Sequence, residues 1–557
     1  MKKNILIFIY LLVSIFIIGC LYGFPKIGID DANIYFVYMK NFADGKGFVY
    51  NVGSESVEGF TSILWTLIGS FIFIFTNHIE ICLLIINVVL LFFTLKIAIK
   101  IIELFIKDEH LSANYITLFL GFLVVFPGFY DWTVLSLLET GLWTFELVLF
   151  TYLLIVPYLN NNFSFQKSTI IISLLFPFFI ITRPESILIG LVFIAIRVLQ
   201  LFLEKISFRK ILIHTIPMCV VFIISLIALT KWRLYYFGYP FPNTYYVKMS
   251  DGFLNNLFEG AIYFGKYVSR TNPLIIAFFV LIFIWFIKMI NEKDYTSNNK
   301  IIFSLVIISL VGIGIPFYTG GDHFRMSRFY QAFSPIFHLC FLFLMLSFSH
   351  QNKLINKITS SRKKIFLSIL ILSFLPLKSL YVLFVNNKYS IAIEFDIANE
   401  NRKLGNNLNS FFDYQKKPSV GVIAAGGFAY TYNGYVNDVL GLNNIEVAHT
   451  INDRPKYILK GHRAFNKTVF LKQKPDLFLF EFVADTSKFI PFTKRDYIVN
   501  GFGGKVIRHI YNDTDFKKQY SPVFITNKKA KQTLFAYASK QFLSTLDTTL
   551  YVYKNVK

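Results

Sequence analysis

Charged residues are scarce in this chain of 557 residues. Only 16% are Asp, Glu, Lys or Arg, 55% are hydrophobic, and the mean hydropathy is +0.54. Soluble globular proteins carry about a quarter charged residues, so an ordinary water-soluble fold is excluded. Cysteine is scarce too, and its four copies lie inside apolar runs, which argues against a disulfide framework or a cysteine-metal cluster.

Nucleotide-binding motifs are also missing. The chain has no Walker loop, dinucleotide fingerprint or heptad repeat, so a nucleotide-sugar donor is not supported. The net charge is +22, but Lys and Arg gather in short loops such as Leu203–Lys210 and His350–Lys364. The positive-inside rule for membrane proteins explains such loops, and nucleic acid is therefore not a predicted partner.

Long apolar runs fill the first two thirds of the chain and predict membrane-spanning helices of about 20 residues each. Candidate segments are 4–23, 61–77, 79–104, 112–128, 132–157, 168–182, 185–203, 210–231, 271–288, 300–318, 332–349 and 364–387. Lys2 and Lys3 place the N-terminus in the cytoplasm, and the basic cluster before the last segment does the same for that loop. These two assignments require an odd number of crossings, so we expect 11 or 13. The short 168–182 run and the stretch around Lys96 and Lys100, which suits an interfacial helix, are the weakest candidates.

The first segment has a second interpretation. Ile17–Cys20 follows a basic start and is similar to a lipoprotein cleavage site, which would make the segment a removed signal. An uncleaved first helix is the favoured alternative, because the many later spans need no additional anchor.

The apolar pattern divides the chain into residues 1–387, a membrane domain, and residues 388–557, a mixed α/β domain outside the cytoplasm. Short apolar runs such as Val420–Ala425 and Leu477–Phe482 predict strands, and Ile391–Leu408 has helical periodicity. Three long segments between helices, 24–60, 232–272 and 318–331, face the same outer side by this topology.

Two adjacent acids, Asp30 and Asp31, follow the first apolar segment. Asp30 can cap a helix running to about Asp44 along the membrane surface, with an apolar face that includes Ile34, Val37, Tyr38 and Phe42 and with Gly45 at its end. Capping alone would explain the pair. Alternatively, one carboxylate acts as a base on an incoming hydroxyl and its neighbour holds a metal or an acceptor group, because partial burial raises proton affinity.

An ordered set of motifs closely resembles the terminal arabinofuranosyltransferase family, bacterial enzymes of the GT-C superfamily that use decaprenyl-phosphate arabinose. The matching segments are Asp30–Tyr35, Asn41–Asn51, Val57–Ser62, Leu64–Trp65, Arg183–Glu185, Pro242–Lys248, Gly320–His323, Arg328–Phe329, Asp438–Leu442, Ala448–His449 and Gly461–His462. The resemblance implies a GT-C-like polytopic helical fold in the bacterial cytoplasmic membrane, with the active site on the outer face. It also implies that Asp30 is the base and Asp31 its support, although the order could be reversed.

The reaction implied by the resemblance releases a polyprenyl phosphate, so cations should surround the leaving group. The candidates for binding the donor phosphate are Lys248, His323, Arg325, Arg328 and Arg183, each of which could instead be an ordinary cation at a helix end. Acceptor or sugar binding is assigned to Glu58, Asn243, Tyr245, Asp322, His449 and His462. A hydrogen-bonded structural carboxyl is an equal alternative for Glu58, and a structural role is the alternative for His449 and His462. Asp322 with His323 leaves a divalent metal possible, but one Asp-His pair does not define a site.

The sequence thus predicts an inverting glycosyltransferase that moves one sugar from a polyprenyl-phosphate donor to a cell-envelope glycan, lipid or protein, with membrane lipids as further partners. A flippase or transporter of polyprenyl-linked glycan is the alternative, although the internal repeats and mid-membrane charges typical of transporters are not evident. A third hypothesis is a receptor-like module whose C-terminal domain binds glycan without chemistry.

Overall fold

The structure is a computed structural model of the whole chain. It describes residues 5, 7–12, 14–16, 28–126, 128–248, 252–292, 294–349, 391–413, 416–450 and 461–556. The predicted last membrane helix, 364–387, and half of the first, 4–23, therefore lie outside the described residues.

The helices of the described membrane domain follow the apolar runs closely. They are α1 (Asp30–Ala43), α2 (Ile63–Phe75), α3 (Ile79–Phe105), α4 (Glu109–Val125), α5 (Thr140–Leu159), α6 (Phe165–Thr182), α7 (Ser186–Leu203), α8 (Phe208–Phe237), α9 (Asn243–Lys248), α10 (Phe253–Arg270), α11 (Leu274–Glu292), α12 (Ser297–Thr319), α13 (Arg328–Gln331) and α14 (Ser334–Ser349). A π-helical turn, Asp131–Leu135, precedes α5, and a 3-10 turn, Arg325–Ser327, precedes α13.

Seven of the described helices, α3, α5 to α8, α11 and α12, are long and apolar enough to cross a membrane. An eighth span results if Arg325–Gln331 and Ser334–Phe348, which meet at a 71° bend, count as one. The chain is therefore a multi-pass membrane protein. The total of 11 or 13 crossings stays a prediction, since two of the predicted segments are not described.

Two of the segments that seemed weakest are full-length helices. The α3 helix continues through Lys96 and Lys100 for 27 residues and meets the length and hydropathy expected of a span. The 168–182 run extends at its N-terminal side to Phe165, where Ser164 caps α6 by accepting a hydrogen bond from Lys167 N. By contrast, the predicted 132–157 segment is divided between the π-helical turn and α5.

The first outer helix is more buried than a helix with one covered face would be, and its position along the membrane surface stays a prediction. Nine of the 14 residues of α1 are buried, including Asn33 and Asn41, whereas Phe42 of the predicted apolar face is exposed. Gly69 of α2 lies directly against Met39, where an added Cβ would come 2.1 Å from the Met39 Sδ atom. Protein side chains thus cover α1 on more than one face.

The C-terminal domain is built on one six-stranded mixed sheet, which confirms the predicted mixed α/β architecture. Its strands are β1 (Val420–Val422), β2 (Val436–Asp438), β3 (Leu477–Val483), β4 (Tyr520–Asn527), β5 (Gln532–Ser539) and β6 (Tyr551–Asn555), in the order β2-β1-β3-β5-β4-β6. The strand β1 pairs in parallel with β2 and β3, and the other pairings are antiparallel. The accompanying helices are α15 (Ala392–Phe411), α16 (Gly427–Thr431), α17 (Ile445–His449), α18 (Lys467–Gln473), α19 (Asp496–Val499), α20 (Phe502–Val506), α21 (Thr514–Gln519) and α22 (Lys540–Thr545).

The segment 28–60 connects the two domains through polar side chains. Asn51 forms a reciprocal pair with the backbone of Val436, at 2.9 Å in both directions. Tyr38 donates to Asn443 Oδ1 at 3.0 Å. Arg402 Nε of α15 donates a hydrogen bond to Asn33 Oδ1 at 2.5 Å. These contacts are distributed along the segment, so the C-terminal domain lies against it. Any binding site that this segment forms is therefore bordered by the C-terminal domain.

Candidate functional site

The two aspartates occupy the first turn of α1, where a negative charge suits the helix dipole. Their helix starts differently from the prediction. Ile29 occupies the N-cap position, and no side chain caps the helix, so Asp30 does not serve as the cap. The backbone of Gly28 and Ile29 instead donates hydrogen bonds to Leu135 O and Ser136 O, which fixes the start of α1 against the turn that precedes α5.

Asp30 points into the C-terminal domain. Its Oδ2 atom accepts a hydrogen bond from Gly426 N at 2.9 Å, and its Oδ1 atom accepts one from Gly427 N at 2.8 Å. Burial raises the pKa of Asp30 to about 6, although these two hydrogen bonds act in the opposite direction. Both carboxylate oxygens are thus engaged by backbone, and Asp30 is not among the residues that line the cavity described next.

Asp31 faces a cavity of about 320 Å³ between the membrane helices and the C-terminal domain. Its side chain is 31% exposed, and its Oδ2 atom lies 3.9 Å from Arg328 Nη1. The neighbouring aspartates therefore have different surroundings, because Asp30 contacts protein backbone whereas Asp31 faces open space. Within this cavity, Asp31 is placed to reach a ligand.

Arg183 lines the same cavity but is already paired with two carboxylates. Its Nη2 and Nε atoms lie 2.9 and 3.1 Å from the two oxygens of Glu185, and its Nη1 atom contacts Glu139. A guanidinium held in this way on two sides has few donors left for a phosphate. Arg183 lines the cavity as part of these ion pairs, and its role in phosphate binding stays a prediction.

Arg328 is similarly paired. Its Nη2 atom lies 2.5 Å from Asp322 Oδ2, and its guanidinium stacks over Phe324 at 4.5 Å. Burial would raise the pKa of Asp322, but the Arg328 guanidinium and His323 hold that pKa well below its usual range. Asp322 is therefore an ionised partner of Arg328 and lines the cavity as half of an ion pair, not as a free acceptor-binding group.

Lys248 is the predicted phosphate ligand that the structure leaves most available. It closes α9, lines the cavity, and is near enough to Asp322 to help lower the pKa of that carboxyl. Among the described residues, no carboxylate lies within ion-pair distance of its ammonium group. Tyr245, one turn earlier on α9, also lines the cavity and is 40% exposed.

The wall of the cavity that faces the membrane helices is apolar. Ile187 of α7 and Leu226 and Leu229 of α8 contribute to it, together with Ile34 of α1. The side chains of Ile223 and Ile227, on the same stretch of α8, are about half exposed, as lipid-facing residues are. The cavity therefore joins a charged wall to an apolar wall next to a membrane helix.

Two predicted acceptor ligands lie outside the cavity and have structural roles. Glu58 is buried and forms a two-pronged ion pair with Arg233 of α8, with a 2.7 Å contact between Arg233 Nη2 and Glu58 Oε1. The Asn243 side chain donates to Gly441 O at 2.7 Å and to Leu442 O at 3.0 Å. Both contacts fix neighbouring segments, so neither side chain is presented to a ligand.

The predicted histidines and Arg325 are also absent from the residues that line the cavity. His449 is stacked between Tyr239 and Tyr246, with ring centroids 4.0 and 4.1 Å away. His323 lies 3.1 Å from Asp322 and packs against His462, whose ring centroid is 4.7 Å away. Arg325 accepts a hydrogen bond at its carbonyl oxygen from the Trp132 indole at 3.0 Å. The two histidines, His323 and His462, thus form a pair beside the cavity.

No family model matches the sequence, and no curated protein matches it either. Solved structures of the oligosaccharyltransferase from Archaeoglobus fulgidus are similar to this chain. The apo form is 11% identical, covers 97% of this chain and 74% of its own, and gives a TM-score of 0.48. A complex with an inhibitory peptide and a dolichol-phosphate is also 11% identical, with coverage of 99% and 76% and a TM-score of 0.46. These values describe a distant similarity and say nothing about the chemistry of this chain.

Asp322 and His323 are possible metal ligands, but the described residues offer no further ligand beside them. In the parts of the chain that the structure describes, no three His, Cys, Asp or Glu side chains converge closely enough to hold a metal ion. The Asp322 carboxylate is instead shared between Arg328 and its own neighbour His323. No metal is assigned a role in the site.

Several residues that shape the site were not predicted from the sequence. Gly426 and Gly427 hold Asp30, and Arg233 holds Glu58. Glu394 of α15 interacts electrostatically with both aspartates, and burial raises the pKa of Glu394. In a sequence, two adjacent glycines after a strand are only a weak indication of a functional site. A single Glu on a polar helix gives no indication of one. Only the packing of the two domains makes their positions meaningful.

Proposed function

We propose that this chain is a GT-C-type inverting glycosyltransferase, with Asp31 as the base and a polyprenyl-phosphate sugar as the donor. The observation that carries the proposal is that Asp31 and Lys248 line one cavity whose other wall is apolar. A donor of this class combines an anionic phosphate with a hydrocarbon chain, and the two walls fit those two parts. The ordered motifs of the resembling family lend further support.

In the proposed reaction, the Asp31 carboxylate accepts the proton of an acceptor hydroxyl. The oxygen then bonds to the anomeric carbon while the bond from that carbon to the phosphate oxygen breaks on the opposite side, which inverts the anomeric configuration. Lys248 would stabilise the negative charge on the departing polyprenyl phosphate. The incoming group is thus deprotonated at one end of the cavity and the leaving group is neutralised at the other.

This proposal exchanges the roles first given to the two aspartates. Asp30 uses both carboxylate oxygens on Gly426 and Gly427, whereas Asp31 is partly exposed to the cavity. A base must lie within hydrogen-bond reach of the hydroxyl that it deprotonates. Asp30 is therefore proposed as a positioning residue that fixes the first turn of α1, and Asp31 as the residue that reaches the substrate.

The ion pairs around the cavity fit an enzyme that orients groups in advance. Arg183 and Arg328 are each held by carboxylates, and Arg328 also lies 3.9 Å from Asp31. We infer that Arg328 helps to orient the Asp31 carboxylate in the cavity, and that Lys248 rather than the paired arginines contacts the phosphate.

The proposal is tested with purified protein in liposomes, supplied with radiolabelled polyprenyl-phosphate sugars and with cell-envelope extracts as acceptors. Transfer of label to a chloroform-insoluble or chromatographically shifted product is the expected result. In parallel, a quencher that reacts only with exposed fluorescent polyprenyl-linked glycan measures lipid flipping. Flipping without any transfer would contradict an enzymatic role and support the transporter alternative.

A further inference from the structure

The α10 helix presents two different faces along its length. Its inner face consists of Asn256, Gly260, Tyr263 and Tyr267, which recur at helical spacing and are buried. Gly260 lies against the backbone of α12, where an added Cβ would come 2.5 Å from Phe317 Cα. This close approach seats α10 across the end of α12, next to the segment that carries Arg328.

The outer face of α10 is apolar although nothing in the described chain covers it. Leu254 is 78% exposed, Phe258 is 69% exposed and Ile262 is 45% exposed. A helix that faced water would carry polar residues at these positions. Three large apolar side chains on one exposed face indicate contact with a partner or a lipid.

The surroundings of this face indicate which partner covers it. Phe264 of α10 packs against Phe279 of α11, with ring centroids 6.3 Å apart, and α11 is a candidate membrane span. Ile276 and Phe283 of α11 are themselves exposed and apolar, as the lipid-facing residues of a membrane span are. The α10 helix thus packs beside a candidate span that presents its own apolar side chains.

We propose that α10 is an interfacial helix whose outer face lies in the lipid leaflet on the side of the C-terminal domain. Toward its C-terminal end the same face carries Lys266 and Ser269, which suit the headgroup region. The occupant is therefore phospholipid acyl chain near Leu254 and Phe258 and headgroup near Lys266.

This placement would connect the lipid surface to the cavity. The Tyr263 hydroxyl accepts a hydrogen bond from Phe329 N at 3.2 Å, directly after Arg328. Glu259 forms an ion pair at 2.5 Å with Arg463 of the C-terminal domain. A helix that is anchored in lipid and joined to both elements sets the height of the cavity relative to the membrane surface.

The test uses full-length protein in which the four native cysteines are replaced and one new cysteine is labelled with an environment-sensitive fluorophore. The labelled variants are Leu254→Cys and Phe258→Cys, with Ser269→Cys on the same helix and Tyr553→Cys on β6 as controls. Each protein is placed in nanodiscs of phosphatidylethanolamine and phosphatidylglycerol, with and without a spin-labelled acyl chain that quenches fluorescence. The measurement needs no enzyme activity and is therefore independent of the proposed function.

We expect labels at positions 254 and 258 to emit at shorter wavelength than the Tyr553→Cys label and to lose intensity when the quencher lipid is present. The Ser269→Cys label should be affected less. Labels at 254 and 258 that respond to aqueous iodide as strongly as the Tyr553→Cys label would overturn the proposal. Disulfide-linked dimers of Phe258→Cys, combined with insensitivity to the quencher lipid, would overturn it as well, because a second copy would then cover the face.

Discussion

The Asp30 carboxylate lies 2.9 Å from the backbone nitrogen of Gly426, which is 396 residues further along the chain. The adjacent Gly427 donates a second hydrogen bond at 2.8 Å. Through these two bonds the C-terminal domain fixes the first turn of α1 and so the direction of Asp31. Domain docking and the geometry of the proposed base are therefore parts of one arrangement.

Substitution of Gly426 should disrupt this arrangement. An added Cβ would lie 1.8 Å from the Asp30 carbonyl oxygen, so Gly426→Ala must displace α1 or the loop before α16. Misplacement of a catalytic group by about 1 Å can reduce the rate about 100-fold, and we expect a loss of that order in sugar transfer. Gly265→Ala is the matched control, because no atom lies within 4 Å of its added Cβ. Equal activity of the two variants would show that the contact is unimportant.

The pH dependence of stability should report on Asp30. Burial raises its pKa to about 6 in the folded protein, whereas an unfolded chain has an aspartate pKa of about 3.9. Between these values the folded state holds more protons, so stability falls as pH rises from about 4 to about 6. Asp30→Asn lacks this titration, and its thermal midpoint should change less over that range. The measurement is thermal unfolding in detergent, and parallel pH profiles for both proteins would contradict the assignment.

The buried pair of Glu58 and Arg233 should contribute strongly to stability. Removing one member of such a pair leaves a charge without a partner and costs about 3–5 kcal/mol. We expect Glu58→Gln to lower the thermal midpoint markedly, since Arg233 has two nitrogen contacts with that carboxylate. Asp44→Asn is the control, because its ion pair with Lys46 is exposed and worth at most about 1 kcal/mol. Similar midpoints for the two variants would refute a structural role for Glu58.

Lys248 should affect the donor more than the acceptor. Lys248→Ala removes the cation that is left without an ion-pair partner among the described residues of the cavity wall, so the KM for a polyprenyl-phosphate donor should rise about 10-fold or more. Lys248→Arg should restore much of that loss, because the charge is retained. Steady-state kinetics with donor and acceptor varied separately provide the measurement. An increase confined to the acceptor KM would assign Lys248 to the other substrate.

The architecture was largely predictable from the sequence because apolar run length is a strong signal in membrane proteins. The runs near 79–104, 185–203 and 300–318 correspond closely to α3, α7 and α12. The extent to which α1 is buried was not predicted, because periodicity shows that a face is apolar but does not show what covers it. Here the C-terminal domain covers α1, and its residues are hundreds of positions away.

The sequence predicted several of the residues that line the cavity. It did not predict which side chains face the cavity and which are held by other residues. Asp31, Lys248, Tyr245, Asp322, Arg328 and Arg183 do line one cavity. The matching motifs also contained Glu58, whose side chain joins the first outer segment to α8, and Asn243, whose side chain joins α9 to the C-terminal domain. A motif search weights both kinds of residue equally, since a buried ion pair and a substrate contact constrain the sequence in the same way. Burial and partners distinguish them, and these follow from the fold.

The measurement that tests the central claim most directly compares Asp31→Asn, in the first turn of α1, with Asp44→Asn, the same chemical change directly after the same helix, in a sugar-transfer assay with a polyprenyl-phosphate donor. Loss of a general base typically reduces the rate by about 100- to 10,000-fold, so Asp31→Asn should be nearly inactive with an unchanged thermal midpoint, while Asp44→Asn retains the wild-type rate. Full transfer by folded Asp31→Asn would contradict the account.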